Sequence, residues 1–308
     1  MNTTLDTLRG QAGETSRNLD GDTLARAAWT VIAEPQDDDA GRLIAAVGAE
    51  EALHVILSTE EKMWEEIPLG NLRARVATRS TGTLRPILDG SLRLGIELVT
   101  PSHPHWPHRL NDLGTGAPYA LWVRGNTSML GAVEQIAVIG ARAATGYGEH
   151  VTMEISAGLV DRGHQIVSGA AYGIDGMAHR AALAAQGDTV AYLAGGVDRY
   201  YPSGHEALLT RIAQSGAVVS EMPLFSAPTK WRFSARNRLI AASAKATVVV
   251  EAGFRSGSLN TAGYAIALGR PVGAVPGPVT SAASAGCHRL IRECGATLVT
   301  TAEEVADL

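Results

Sequence analysis

The spacing of apolar residues changes character along the chain. From Leu24 to about Leu94 they recur three and four apart, as in "GRLIAAVGAEEALHVIL" (41–57). That spacing paints one face of a helix. Gly48 is a natural break between two short helices. No strand-like alternation occurs there, so we read a small helical domain. Residues 1–22 before it are polar and read as a loose segment. "PSHPHWPHRLNDLGTGAPYALWVRGN" (101–126), rich in Pro and Gly, reads as a connector. From residue 136 onward short β-branched runs alternate with helical stretches. The strand candidates are "IAVIG" (136–140), "QIVSG" (165–169), "TVAYLA" (189–194), "AVVSE" (217–221), "TVVVEA" (247–252), "PVGAVPG" (271–277) and "ATLVT" (296–300). This alternation predicts an α/β fold: a mainly parallel sheet with helices on both faces. Ligands of such folds sit beyond the carboxyl ends of the strands.

Composition narrows the class. A chain of 308 residues suits about two domains. Its 45% hydrophobic and 19% charged residues are those of a globular protein. No apolar run reaches the ~18 residues that span a bilayer. The N-terminus lacks the apolar core of a secretory signal, so a cytoplasmic location is expected. Cys287 and Cys294, seven apart around His288, lack a second ligand pair and read as inert thiols. His103, His105 and His108 are separated by prolines and read as a packed loop.

Charge changes the picture more. The net charge of −5 hides a strong asymmetry. Residues 34–66 carry ten acids against two bases, whereas residues 222–250 carry five bases and no acid. The basic stretch centres on "KWRFSARNR" (230–238), which sets Lys230, Arg232, Arg236 and Arg238 around Trp231 and Phe233. Cations that track phosphates, interleaved with aromatics that stack on bases, are the ingredients of a nucleic-acid groove. The sequence leaves open whether Phe233 and Trp231 face a base or the core. Arg238 could brace the segment instead of touching a ligand, and Asn237 is better suited to holding the turn.

Three loops after strands add polar chemistry. In "VIGARAATGYG" Arg142 stands where a dinucleotide fingerprint needs glycine, and no acid closes the next strand to hold a ribose. That argues against NAD. Gly140 instead makes a tight turn, Arg142 offers a cation over the strand ends, and Gly146 and Gly148 lead into a helix start that suits an anion. In "SGAAYGIDGMAH" Ser168 and Gly169 open a turn. Asp175 and His179 lie on one helical face but lack a nucleophile, so a structural hydrogen bond is the expected role. "RSGSLNTA" presents Ser256, Gly257, Ser258 and Thr261 at a helix start, where hydroxyls and free amides either bind phosphate or cap the helix.

At these residues the chain resembles the DNA-processing protein A family (DprA, also called Smf). The matching elements are "IAVIGARAATGYG", "IVSGAAYGIDGMAH", "TVAYLAGGVDRYYP", "VVSEMP", "KWRFSARNRLIA", "VVVEAGFRSGSLNTAGYAIALGRPVGAVPG" and "SAGCHRLIRECGA", which together cover about 100–300. The resemblance implies an extended Rossmann-like domain over 96–308, preceded by a helical SAM-like domain over 23–95, with no winged-helix domain after it. It further implies a protein that binds single-stranded DNA without base specificity, protects incoming DNA in natural transformation and helps load RecA. Family members form homodimers and are not known as enzymes; no cofactor or metal is expected. By resemblance the DNA-binding residues are Gly140, Arg142, Ser168, Gly169, Lys230, Phe233, Arg236, Asn237, Arg238, Ser256, Gly257, Ser258 and Thr261. Two positions depart from the family pattern. Ala141 replaces a serine and removes a hydroxyl, and Ser234 replaces a proline, which loosens the expected loop. The rival readings are a nucleotide sensor and an enzyme that cleaves nucleoside phosphates. The latter carry a P-G-G-x-G-T loop that this sequence lacks.

Overall fold

The computed structural model describes residues 3–14, 18–58, 67–79, 81–131 and 134–308. Part of the acidic stretch, 59–66, therefore lies outside the described residues. The polar opening is not loose throughout. Residues 3–12 form helix α1 (Thr3–Ala12), and Leu8 and Ala12 are buried in one cluster with Leu24 and Trp29. Leu8 and Ala12, four apart on one face, are enough to hold a short helix once neighbouring helices cover them.

Five further helices follow: α2 (Gly21–Ile32), α3 (Asp38–Val47), α4 (Ala49–Leu57), α5 (Leu69–Ala77) and α6 (Leu84–Leu94). Asp20 caps α2 by accepting from the Thr23 amide at 2.7 Å. Gly48 takes φ 83° between α3 and α4, a conformation that ends the first helix and starts the second.

The strands are β1 (Ile96–Val99), β2 (Leu121–Gly125), β3 (Gln135–Ile139), β4 (Gln165–Ser168), β5 (Thr189–Tyr192), β6 (Ala217–Ser220), β7 (Ala246–Val249), β8 (Val272–Ala274) and β9 (Thr297–Leu298). They build one sheet in the order β1-β2-β6-β5-β4-β3-β7-β8-β9. From β6 through β9 every pair is parallel, while β1–β2 and β2–β6 are antiparallel. Between them run α7 (Gly146–Asp161), α8 (Ile174–Ala184), α9 (Glu206–Ser215), α10 (Lys230–Ser243), α11 (Ser258–Ala267), α12 (Ala285–Cys294) and α13 (Ala302–Ala306).

Strand β2 of the antiparallel edge lies within the stretch read as a connector, and β1 lies just before it. "LWV" is too short to show a period, yet Trp122 is wholly buried and its Nε1 donates to Thr30 Oγ1 of α2 at 3.3 Å. Strand β2 thus ties the helical region to the sheet. The two share an apolar cluster in which Trp29 and Leu53 join Ala191, Leu193 and Val218. A fully buried side chain of the Leu or Val class contributes roughly 1.5–3 kcal/mol, so this seam is a packed core.

Both faces of the parallel strands are covered. In β3, Ile136 and Val138 pack with Ile155 of α7 and Ala178 of α8. Ala137 and Ile139, pointing the other way, pack with Leu239 of α10 and Ala262 of α11. Alternate residues of a strand face opposite sides, so a doubly covered strand reads as a continuous apolar run. The strand order reverses between β3 and β7. The loops leaving those neighbours part in opposite directions, which opens a crevice at their carboxyl ends.

Candidate nucleic-acid interface

A groove of about 900 Å³ occupies that crevice. Its walls are the β3–α7 loop, the start of α10 and the start of α11. Ten of the thirteen residues expected from the sequence line it: Gly140, Arg142, Lys230, Phe233, Arg236, Asn237, Ser256, Gly257, Ser258 and Thr261. Segments more than a hundred residues apart meet here because each lies at a strand's carboxyl end.

"KWRFSARNR" is not a loop. Helix α10 starts at Lys230, capped by Thr229, whose Oγ1 accepts from the Arg232 amide at 3.2 Å. Ser234 keeps the backbone donor a proline lacks, so the helix runs through it, and the expected softening is replaced by regular structure. Helical geometry then sorts the cations. Lys230 is exposed on the groove. Arg232 turns away to Glu34. Arg236 is 4% exposed beneath Phe233, and its Nη1 donates to the Tyr192 carbonyl at 2.5 Å. Burial lowers the Arg236 pKa to about 10, Asp175 opposes that, and Arg142 adds to it. The guanidinium is thus still charged at neutral pH.

Two cations approach the Phe233 ring. The Arg142 and Arg236 guanidinium carbons stand 5.2 and 5.9 Å from its ring centroid. Tyr201, half exposed on the same wall, has its ring centroid 5.6 Å away. Phe233 is half-buried and lines the groove. Trp231 does not line the groove; it is exposed beside the acidic loop at 34–39.

Across the groove, α11 begins without a side-chain cap. Ser256 Oγ and Ser258 Oγ bond to each other at 2.7 Å, and Asn237 Nδ2 reaches the Gly257 carbonyl at 3.4 Å. Asn237 thus ties α10 to the start of α11, a turn-holding role. The first amides of α11 turn back on the chain: Ser258 N donates to Ser256 Oγ at 3.4 Å, Leu259 N to the Ser256 carbonyl at 3.2 Å and Asn260 N to the Gly257 carbonyl at 3.1 Å.

The start of α7 is different, because the protein supplies its own anion. Thr145 N and Oγ1 donate to the Glu251 carboxylate at 2.9 and 2.6 Å, and a Cβ on Gly148 would collide with that carboxylate. Gly146 and Gly148 therefore do not make an open anion site. Gly140 is glycine for lack of room: a Cβ would lie 2.6 Å from Ile174 Cγ1 and 2.8 Å from the Glu251 carbonyl oxygen.

Residues 97–308 match the family model described as DNA recombination-mediator protein A. The chain belongs to this family. It is 45% identical over 306 residues to a Mycobacterium tuberculosis chain that carries the DprA name, covering 94% of this chain and 75% of that one. It is 34% identical to the DNA processing protein DprA of Bacillus subtilis, covering 68% of this chain and 69% of the relative. The solved DprA of Streptococcus pneumoniae superposes with a TM-score of 0.75 at 28% identity, over 94% of this chain and 98% of that one. The Helicobacter pylori DprA, whose structure describes a single-stranded DNA binding mode, gives 0.63 at 27% identity, over 69% and 94%.

Three residues carried over from the DprA pattern do not line the groove. Ser168 is fully buried and its Oγ donates to the Val138 carbonyl at 2.7 Å, which joins β4 to β3. Gly169 lies under the Arg236 guanidinium, where a Cβ would collide. Arg238 is 1% exposed; Nη1 and Nη2 each bond the Glu221 carboxylate at 2.6 Å, and Nε donates to the Gly116 carbonyl at 2.8 Å. All three support the groove from behind. Asp175 and His179 are not bonded to each other among the described contacts. Asp175 Oδ2 accepts from the Gly169 and Ala171 amides at 3.2 and 3.4 Å, while His179 Nδ1 meets Thr189 Oγ1 at 2.7 Å. Burial raises the Asp175 pKa against the pull of Arg236.

Tyr201 and Asn260 also line the groove, though neither is among the binding residues expected from the sequence. The signal for Tyr201 was present. Two tyrosines before a proline follow the "TVAYLA" strand, at the ligand-bearing end of the sheet. Asn260 belongs to the polar helix start "RSGSLNTA", which the sequence does mark.

Proposed function

We propose that this DNA-processing protein binds single-stranded DNA in the β3/β7 groove without base specificity, acting as a binder and not as an enzyme. The observation that carries the reading is Phe233: a ring that lines the groove, approached by Arg142 and Arg236, with Tyr201 beside it. Every base has a π-face, so aromatic stations accept any sequence, while cations follow the phosphates. In this reading Arg142 and Lys230 neutralise phosphates, Phe233 and Tyr201 take bases, and the start of α11 with Ser256, Gly257, Ser258 and Thr261 holds a further phosphate. Arg236 contributes a buried positive field beneath the ring. Asp175, the carboxylate on the groove, is committed to backbone amides, which suits a structural role better than general-base work.

The family's description as a recombination mediator supports a next step, in which a homodimer presents the bound strand to RecA. The test is titration with oligothymidine against mononucleotides over a range of salt. Salt-sensitive oligonucleotide binding that strengthens with strand length is expected. Saturable mononucleotide binding without oligonucleotide affinity would overturn the reading in favour of a nucleotide sensor. Release of free base from a nucleoside phosphate would favour the enzyme.

A further inference from the structure

The acidic loop between α2 and α3 has no part in the groove, yet it grips both helices that wall it. The Glu34 carboxylate accepts from Arg232 of α10 twice, Nε to Oε2 at 3.1 Å and Nη2 to Oε1 at 2.8 Å. Arg79 binds the same carboxylate, on Oε1. Two residues on, Gln36 Nε2 donates to the Tyr264 hydroxyl of α11 at 3.1 Å. The loop is itself anchored. Asp37 caps α3 and accepts two bonds from Arg75, and Asp38 accepts from Thr115 Oγ1 at 2.6 Å. Gln36 holds φ 61°, a left-handed conformation uncommon for a residue with a side chain. Such strain persists only where the surroundings over-determine it.

We propose that this loop is a strap: Glu34 and Gln36 are positioning residues that set α10 against α11, and so set the width and grip of the groove. The proposal rests on the groove being the nucleic-acid site. An exposed ion pair adds little to stability by itself. What distinguishes this one is where it reaches. Arg232 sits one residue before Phe233 and two after Lys230, and Tyr264 sits three after Thr261. A strand in the groove must touch both walls, so a shift between them changes contacts on both sides at once. It also gives the helical region a role in binding without any DNA contact of its own.

The test compares Glu34→Gln and Gln36→Gly, the latter keeping the backbone angle while removing the amide, with Arg232→Gln and the Glu34→Gln/Arg232→Gln double variant. Thermal melts by circular dichroism establish that each is folded. Two readouts follow. Amide hydrogen exchange should quicken over 230–234 in Glu34→Gln and over 257–261 in Gln36→Gly. Oligothymidine affinity should fall about fivefold in each single variant, the low end of coupling between sites. The salt slope should stay unchanged, and the double variant should be no weaker than either of its singles. Unchanged exchange in the folded variants, or unchanged affinity, overturns the strap. A shallower salt slope in Arg232→Gln also overturns it, because Arg232 would then meet a phosphate directly. If the unaltered protein binds no oligothymidine, the nucleic-acid reading fails, and the exchange measurement alone decides the positioning role.

Discussion

Arg142 and Arg238 are the same side chain at opposite ends of one device. Arg142 is exposed on the rim and stacks on Phe233. Arg238 is sealed behind the wall, with both ends of its fork on Glu221. Lys230 belongs with the rim. Arg236, Asp175 and His179 belong with a buried polar layer under it. The rim leaves charge open for a ligand and pays nothing for desolvation until one arrives. The buried layer has already lost its water and must be satisfied internally. Changes on the rim should therefore appear in binding, and changes in the buried layer should appear in stability.

The largest expected effect tests the buried side. Arg238→Ala strands the Glu221 carboxylate, which is 7% exposed, and should cost about 3–5 kcal/mol in urea unfolding. Arg238→Met with Glu221→Leu removes both charges and should cost far less. If the two variants are equally destabilised, packing and not charge is what Arg238 supplies.

Acid should break the buried layer next. Burial, with the nearby charges of His205 and Arg236, lowers the His179 pKa from 6.5 to about 3. The unfolded chain therefore binds a proton between those values that the folded protein refuses. The stability is fully present above pH 6.5 and is lost as pH falls toward 3, by about 2 kcal/mol at pH 5. Melting temperature against pH should show this slope, and His179→Gln should flatten it. Oligothymidine affinity of the protein that remains folded should not follow the same curve.

Phe233→Ala tests the rim. It should weaken oligothymidine binding by about 1–2 kcal/mol, the lower part of the stacking range because Arg142 already covers the ring. Its salt slope should not change. Smallest in free energy is Arg142→Ala or Lys230→Ala, each of which should make the salt slope shallower by about 0.7 for one phosphate on a single strand. An unchanged slope removes that residue from phosphate contact, and a large fall in melting temperature would move it to the buried layer.

The strands from 135 onward were legible because each is a short apolar run bounded by glycine or polar loops. Strands β1 and β2 were not, since "IELV" and "LWV" are no longer than ordinary short runs in loops, and only the pairing of β2 with β6 and of β1 with β2 makes them strands. The site residues at loop positions were legible for a related reason. Arg142 and Ser256 follow strand ends, and in this class of fold a strand end is already a location. The cations of α10 were harder. Charge counts see Lys230, Arg232, Arg236 and Arg238 as one cluster, but a helix turns about 100° per residue and sends them to different partners.

By itself the sequence determined the α/β class, the order of the parallel strands along the chain, and which loops bring glycine, hydroxyl and cation to the carboxyl edge. Those are local properties, set by spacing and by residue type. Only the tertiary structure decided which charges are free. Glu251 fills the start of α7, Glu221 neutralises Arg238, Glu34 draws off Arg232, and Arg142 and Lys230 are left on the groove. Glu251 and Glu34 lie more than a hundred residues from the groups they bind, and Glu221, 17 residues before Arg238, sits on another element, so only the packing of the elements joins each pair.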